Sequence, residues 1–436
     1  MNLGTSFVEF LQPVVPVFTA PTFSSFLTVL TGWVFARRRV VTRMIEAADA
    51  VGAKHHSAFH RVFSAACWSL DELGLAIFTR IEPWLADDAV LLSLDDTLAR
   101  KRGRKVFGVG MHHDPLLSSR KTAVMNRGHN RVVLGVIVSF PFRPGHYVSL
   151  PILFRLYVNQ KTATKKRLRH RTRPELAVEM LTVLCKRHEN RRFHVIGDSA
   201  YGGQSVLMHL PANCDLTSRL VLDARLYAAP PVRKPGTHGR PRKRGQPLPT
   251  PRKMLEPRTR RLTLDLYGRR DRSRVADQVA RVYAVPQRPL RIVAVEPLSG
   301  GRKMQAFYST CHEATAEQVL IWYARRWSIE VTFHDAKGHL GFEQPQGWTR
   351  KAVERTAPTA MLLYSLIVLW FAAEGHRHYR APHRPWYRSK SGASFADMLS
   401  TLRCESVREQ VLSLGLHGQD SRNIMKTLLN AVQQVA

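Results

Sequence analysis

The chain has 436 residues, 44% of them hydrophobic, which is enough for roughly two to four domains with sizeable cores. Lys and Arg number 66 against 33 Asp and Glu, and the resulting formal net charge of +33 is spread along the whole chain. Such a charge repels itself unless a polyanion offsets it, so nucleic acid is the expected partner, whereas the length and the eight tryptophans argue against a ribosomal-type protein. The five cysteines lie far apart with no C-x-x-C pair, which argues against a zinc ribbon or a disulfide framework and fits a reducing cytosol.

Residues 1–88 are predicted to form an all-α N-terminal domain that binds DNA. They show helical rather than alternating periodicity, and cations occupy the polar face of the segment HHSAFHRVFSAACWSLDELGLAIF. An apolar stretch near the start contains Glu9 and three prolines and lacks a basic leading segment. We interpret it as an arm and a helix start rather than a signal peptide.

Residues 89–350 are predicted to form a second domain, an α/β core with a mixed sheet. The short apolar run Ala89–Leu94 indicates a buried strand that ends in two aspartates, and Val132–Phe140 and Ser149–Val158 indicate a strand pair. An amphipathic helix, RPELAVEMLTVLCKRH, precedes a second apolar strand that ends in a carboxylate within RFHVIGDSAYGG. The order strand, strand pair, helix, strand is typical of such a core.

A mostly β insertion is predicted at about residues 205–315. It includes residues 227–256, where Pro, Gly and cations dominate and a mobile loop is expected, followed by four apolar runs that are predicted strands. Within the loop, GRPRKRG resembles an AT-hook core that binds the minor groove, and a solvated charged loop is the alternative. The cations of this segment are Arg240, Arg242, Lys243 and Arg244.

Residues 351–436 are predicted to form a C-terminal helical region. Its apolar stretch, Ala357–Ala373, is shorter than the ~20 residues that a bilayer requires, and charged residues flank it. We therefore predict a buried core helix rather than a membrane span.

A polar stripe is predicted on one helix near residue 330. Tyr323, Arg326, Glu330 and Lys337 stand at offsets of three, seven and fourteen, which fall within a narrow arc of a single helix face. A simple amphipathic helix would carry Leu or Ile there. The stripe suits contact with phosphate and metal ions, and a salt-bridged surface face is the alternative.

Three carboxylate positions predict a metal site. Asp95 and Asp96 end one predicted strand, Asp198 ends another, and Glu330 lies on the polar stripe. Hard oxygen ligands from two strands and a helix suit Mg²⁺ or Mn²⁺, and two such ions would act on the attacking and leaving oxygens of a phosphodiester displacement. For each residue alone, the alternative is a strand-end turn or a helix cap.

The spacing of the stripe, Tyr-x₂-Arg-x₃-Glu-x₆-Lys, resembles the signature of a large group of bacterial insertion-sequence transposases. These enzymes have a DDE active site on an RNase H-like fold, and the segments LDDTLARKRG and VIGDSAYGG resemble their two aspartate strands. The resemblance covers about residues 88–350, including the mostly β insertion. It implies that Asp198 and Glu330 are catalytic metal ligands.

The resemblance leaves the first aspartate open between two neighbours. An Asp-x-Thr pattern points to Asp95, whereas an acidic-Asp-Thr pattern points to Asp96. On a strand the two side chains face opposite sides, so only one of them can join the site, and we favour Asp95 as the ligand.

Cations near the site are predicted to contact DNA. The resemblance implies that Tyr323, Arg326 and Lys337 hold DNA phosphates, and that His334 touches the metal or the scissile phosphate or else serves packing. A second basic segment follows the first aspartates and is interpreted either as part of the DNA path or as a turn with solvated cations. Its members are Arg100, Lys101, Arg102, Arg104 and Lys105.

The function implied by the resemblance is DNA transposition. The protein would bind terminal inverted repeats as a homodimer, cut the ends with two Mg²⁺ ions, or Mn²⁺ in their place, and join them to target DNA. It would work on the nucleoid in a bacterial cytoplasm. The alternatives are a catalytically silent, domesticated transposase that only binds DNA, and an RNase H-like nuclease that acts on RNA or hybrids.

Overall fold

The computed structural model describes residues 1–86, 89–103, 105–114, 117–119, 121–232, 242–256, 259–266, 269–298, 303–381 and 392–413, together with 425, 428 and 429. Its helices are α1 (Thr5–Phe10), α2 (Ala20–Phe35), α3 (Val41–Ala47), α4 (His56–Ser64), α5 (Leu70–Ile81), α6 (Gln160–Lys165), α7 (Arg173–Arg187), α8 (Gln204–Leu207), α9 (Pro251–Met254), α10 (Ala316–Arg325), α11 (Ser328–Leu340), α12 (Arg350–Ala373) and α13 (Phe395–Ser413). Short 3₁₀ turns cover Gln12–Val17, Glu82–Trp84 and Gly375–Arg377.

The described strands form one 12-stranded sheet. They are β1 (Val90–Arg100), β2 (Gly110–His113), β3 (Met125–Ser139), β4 (Tyr147–Tyr157), β5 (Phe193–Gly197), β6 (Cys214–Leu220), β7 (Leu226–Tyr227), β8 (Pro247–Leu248), β9 (Arg260–Leu266), β10 (Arg269–Val282), β11 (Leu290–Pro297) and β12 (Gln305–Ser309). Their order is β2-β3-β1-β5-β6-β12-β11-β10-β7-β8, with β4 paired to β3 and β9 paired to β10.

The prediction that the first strand ends at Asp95 and Asp96 is wrong, because β1 continues to Arg100 through its pairing with β3. Strand β1 nevertheless brings the two predicted aspartate positions together. It pairs antiparallel with β3 and parallel with β5, while β4 is antiparallel to β3 and β6 is parallel to β5. Leu94 lies opposite Gly197, so Asp95 and Asp198 start from neighbouring positions on strands that run ~4.8 Å apart. This mixed α/β sheet is the predicted RNase H-like core, and the predicted fold class is confirmed.

Local sequence explains the elements around this core. Leu92 and Leu94 are fully buried on one side of β1, which leaves Ser93 and Asp95 to point to the other side. Helix α7 begins with a capping box in which Thr172 and Glu175 satisfy each other's backbone N–H groups. It then packs against β3 and β4 and returns the chain to β5.

The predicted core helix corresponds to α12. This described helix is long and apolar enough to cross a membrane, but 94% of its apolar window is buried inside the protein. It contacts β4, α5 and α11, so its apolar residues serve the core as predicted.

The N-terminal helices share that core. They are helical as predicted, and α5 packs against β4. The Trp33 indole donates to the Leu340 carbonyl at 2.8 Å, and the Arg355 guanidinium donates to the Ala66 carbonyl at 2.8 Å. Residues 1–86 therefore form one hydrophobic unit with the sheet, and their DNA-binding role stays a prediction.

The predicted insertion extends the sheet of the core. Strand β6 lies within its predicted bounds but pairs with β5, and β12, β11 and β10 then continue from β6. Part of the predicted mobile loop is regular, because β7 pairs with β8 and residues Pro251–Met254 form α9. Residues 233–241 lie outside the described part of the chain.

Candidate active site

The predicted catalytic acids Asp95 and Glu330 meet through an arginine. Arg326 donates from Nη1 to Asp95 Oδ2 at 2.6 Å and from Nη2 to Glu330 Oε1 at 2.9 Å. The exposed fractions of the three side chains are 18% for Asp95, 34% for Glu330 and 11% for Arg326. One guanidinium thus joins a carboxylate from strand β1 to a carboxylate from helix α11, 235 positions later in the chain.

Asp198 reaches the same place from the end of β5. Burial is the main cause that raises the pKa of Asp95, and repulsion by the Asp198 carboxylate adds to it, consistent with their neighbouring strand positions. The Ala200 N–H donates to Asp198 Oδ1 at 2.9 Å, and Ser218 Oγ donates to the Asp198 carbonyl at 2.7 Å. A Cβ on Gly202 would lie 2.4 Å from Ser218 Oγ, so the chain needs glycine there to make this turn.

Asp96 points to the opposite side of β1. Its carboxylate accepts from Asn130 Nδ2 at 2.6 Å and from the Tyr201 hydroxyl at 2.8 Å, and Arg173 Nη1 lies 3.3 Å from it. The structure therefore places Asp95, and not Asp96, with Arg326 and Glu330. These partners of Asp96 are not among the site residues predicted from the sequence. Tyr201 stands in the GDSAYGG segment and could have been noticed, but no pattern marks Asn130 or Arg173.

Burial and mutual attraction set the pKa values of Asp95 and Arg326. Burial raises the pKa of Asp95 to about 7, against the attraction of Arg326, which lowers it. Burial would lower the pKa of Arg326, but the Asp95 carboxylate and Glu330 together raise it above its ordinary value. The arginine remains charged, and Asp95 is the group that titrates near neutral pH.

The predicted single helix stripe is wrong. Helix α10 ends at Arg325 and α11 begins at Ser328, with Arg326 and Trp327 between them. The N–H groups of Arg326 and Trp327 bond to carbonyls three residues back, at 3.2 Å each, which tightens the turn between the two helices. Helix α10 packs against β9–β12, whereas α11 packs against β4 and β1.

The remaining stripe residues have further contacts near the site, and the Arg326 guanidinium carbon lies 5.6 Å from the Tyr323 ring centroid. The Tyr323 ring is buried, with its centroid 4.4 Å from that of Phe307. Burial lowers the pKa of Lys337, and Glu343 opposes the shift. His334 is 83% exposed, with Nδ1 3.3 Å from Asp335 Oδ1. The phosphate contacts of these residues stay predictions.

Two cations of the predicted basic segment, Arg100 at the end of β1 and Lys101 directly after it, are engaged inside the protein. Arg100 Nε lies 2.7 Å from Asp114 Oδ2, and Lys101 Nζ donates to the carbonyls of Glu343 and Pro345 at 2.7 Å each. The two Lys101 bonds hold the segment after α11 against the end of β1. Arg102 and Lys105 are exposed, and Arg104 lies outside the described residues.

The cations of the insertion loop are only partly described. The Arg244 guanidinium carbon lies 4.4 Å from the Tyr283 ring centroid and 4.9 Å from that of Tyr227, so this side chain is held on the sheet. Arg242 and Lys243 are exposed, while Arg240 lies outside the described residues.

The donor set fits a hard divalent cation by its chemistry. Asp95, Asp198 and Glu330 offer only carboxylate oxygens, the ligands that Mg²⁺ and Mn²⁺ prefer. Among the described residues, however, no group of three or more His, Cys, Asp or Glu side chains is already placed to hold a metal ion. The guanidinium of Arg326 supplies the positive charge between Asp95 and Glu330, so a metal ion there requires Arg326 to release a carboxylate.

Comparison with known families gives one match. The model of the family described as DDE superfamily endonuclease matches residues 13–280, more than half of the chain. The matched span contains Asp95, Asp96 and Asp198 and ends before Glu330. No curated protein matches the chain.

Proposed function

Because this chain belongs to the DDE superfamily endonucleases, we propose that it is a metal-dependent transposase that cuts and rejoins double-stranded DNA. The observation that carries the proposal is the Arg326 bridge between Asp95 and Glu330, next to the strand end that carries Asp198. Asp95 lies within β1 beside the end of the parallel strand β5, and Asp198 directly follows β5. A net charge of +33 supports a polyanionic substrate.

Asp95, Asp198 and Glu330 are the residues that would hold two Mg²⁺ ions, for which Mn²⁺ can substitute. When bound, such ions supply Lewis-acid activation of the scissile phosphate and of the attacking water. The pairing of β1 with β5 fixes the backbone positions of Asp95 and Asp198 relative to each other, whereas Glu330 becomes available as a ligand when Arg326 releases it.

Arg326 has a second task in this proposal. Once released from the carboxylates, its planar fork can bond two oxygens of a DNA phosphate. Lys337, two turns along α11 from Glu330, supplies a further cation on the same helix. The same guanidinium would therefore balance the carboxylates in the free protein and the phosphate in the complex.

The reaction consists of two displacements at phosphorus. Water first attacks the phosphodiester at the transposon end, breaks the bond to the 3′-oxygen, and leaves a free 3′-hydroxyl and a 5′-phosphate. That 3′-hydroxyl then attacks a target phosphodiester, forming one phosphodiester bond as another breaks, so no energy cofactor is consumed. Two transposon ends must be joined to one target, which is why a homodimer bound to terminal inverted repeats is part of the proposal.

The test uses purified protein and duplexes that carry the inverted repeats flanking the gene. We expect nicking only with Mg²⁺ or Mn²⁺, and we expect Glu330→Gln to abolish it while DNA binding remains. Full cleavage by Glu330→Gln would remove Glu330 from the site. Tight binding by the wild type without cleavage under any metal would favour a silent DNA-binding protein, and preferential cutting of RNA–DNA hybrids would favour an RNase H-like nuclease.

A further inference from the structure

The β9–β10 hairpin projects beyond the rest of the sheet. Strand β10 pairs with β11 only from Ser273 onwards, where it lies opposite Pro297. Its pairing with β9 continues to the Arg269–Leu266 pair. Four residues of β10 therefore extend past the end of β11, a projection of roughly 13 Å at the rise of a strand.

This projection lies at the edge of the sheet that carries the candidate active site. Strands β5 and β6 are parallel, and β12, β11 and β10 follow as successive antiparallel neighbours. The beginning of β10 and the end of β5 consequently lie at the same edge. Asp198 directly follows β5, so the hairpin and the carboxylates share one side of the molecule.

The two faces of the hairpin differ sharply. Leu264 and Val275 are buried in a hydrophobic cluster with Val319 and Leu320 of α10, and Leu262 packs against that cluster. Because alternate residues of a strand point to opposite faces, the other face is formed by the neighbours of these residues in the sequence. The hairpin is thus fixed on α10 by one face and presents the other outward.

The outward face is rich in arginine. Arg272 lies opposite Thr263, Arg270 opposite Asp265, and Arg261 lies next to Thr263 along the same face. All five of these side chains are exposed.

Only part of that charge is balanced within the protein. Arg270 Nε lies 3.8 Å from Asp265 Oδ1, and both side chains are about four-fifths exposed, at 83% and 78%. Among the described residues, Arg261 and Arg272 have no acidic partner within ion-pair distance. Arg261 and Arg272 therefore leave uncompensated positive charge on this face, which suits an external polyanion.

We propose that this face, formed by Arg261, Thr263, Arg270 and Arg272, binds the phosphate backbone of the DNA duplex beside the cleaved bond. The proposal rests on the proposed function, because that function supplies the duplex. Each arginine guanidinium can donate two parallel hydrogen bonds to the oxygens of one phosphate, and the Thr263 hydroxyl adds a further donor. A flat strand face reaches phosphates rather than base edges, so the contact is independent of DNA sequence.

The experiment compares two double variants that remove the same charge. Arg261→Gln with Arg272→Gln alters the outward face, and Lys186→Gln with Arg187→Gln alters two exposed cations at the end of α7, before β5 and therefore at the opposite sheet edge. Binding to repeat-bearing and unrelated duplexes is measured by fluorescence anisotropy without metal ions, across a range of salt concentrations.

For the Arg261/Arg272 variant we expect the logarithmic salt slope to fall by about 2 and the affinity at 0.1 M salt to fall roughly 60-fold, equally on both duplexes. The Lys186/Arg187 variant should keep the wild-type slope. If the double arginine variant does not fold, Thr263→Glu places a negative charge on the same face and should weaken binding in the same way.

Equal binding by both double variants would overturn the proposal. So would an arginine variant that keeps its DNA affinity but loses self-association in size-exclusion chromatography, because the face would then contact a second copy of the chain. Either result leaves the proposed function intact as long as the wild type nicks DNA with metal. If the wild type neither binds nor nicks DNA, the proposed function itself fails.

Discussion

Replacing Asp95 by asparagine should stabilise the metal-free protein at alkaline pH. Burial in the folded protein raises the pKa of Asp95 from its ordinary value of 3.8 to about 7. Because the folded state binds the Asp95 proton more tightly than the unfolded state, stability falls as pH rises from about 4 to about 7 and levels off above that range. Asparagine is neutral at every pH and avoids the loss.

The size of the effect follows from the shift. The free energy of folding changes by about 1.4 kcal/mol for each pH step between the unfolded pKa of 3.8 and the folded pKa of about 7. We therefore expect Asp95→Asn to raise the free energy of unfolding by about 2 kcal/mol at pH 5 and about 4 kcal/mol at pH 8.5. The assay is urea unfolding of wild type and variant in EDTA at both pH values. Added Mn²⁺ should then stabilise the wild type and not the variant, since only the wild type retains the carboxylate.

Asp96→Asn is the matched control, because Asp96 lies on the other side of β1. It weakens the bonds from Tyr201 and Arg173, so we expect a loss of about 1–3 kcal/mol at both pH values. If Asp95→Asn is instead less stable than the wild type at pH 8.5, Arg326 holds Asp95 as a stable ion and our account of its burial is wrong.

Two further predictions concern the surroundings of the site. Arg326→Lys keeps the charge but cannot bond both carboxylates, so it should lower the melting temperature in EDTA, and saturating Mn²⁺ should narrow the gap to the wild type. If Mn²⁺ leaves the difference in melting temperature unchanged in thermal-shift measurements, the metal ion and the guanidinium do not share the carboxylates. Gly202→Ala brings a Cβ within 2.4 Å of Ser218 and should cost about 1–3 kcal/mol in urea unfolding, whereas Gly203→Ala, with open space around it, should cost little. Equal losses for the two glycines would argue against a tight turn after Asp198.

The local pattern of the sequence identified the elements that carry the carboxylates. The apolar runs before Asp95 and Asp198 predicted the two strands, because a buried strand is marked by its own composition. The apolar composition of α12 predicted a core helix for the same reason. The basic composition indicated a polyanionic partner, since net charge does not depend on the fold.

The tertiary structure decided how these parts face one another. The choice between Asp95 and Asp96 depends on which side of β1 receives α11, and the helix break at Arg326 depends on the packing of α10 and α11 on different strands. The bridge from Asp95 to Glu330 joins residues more than two hundred positions apart. Local periodicity predicts which residues share an element, but only the packing of elements brings distant side chains together or leaves one face of a hairpin open.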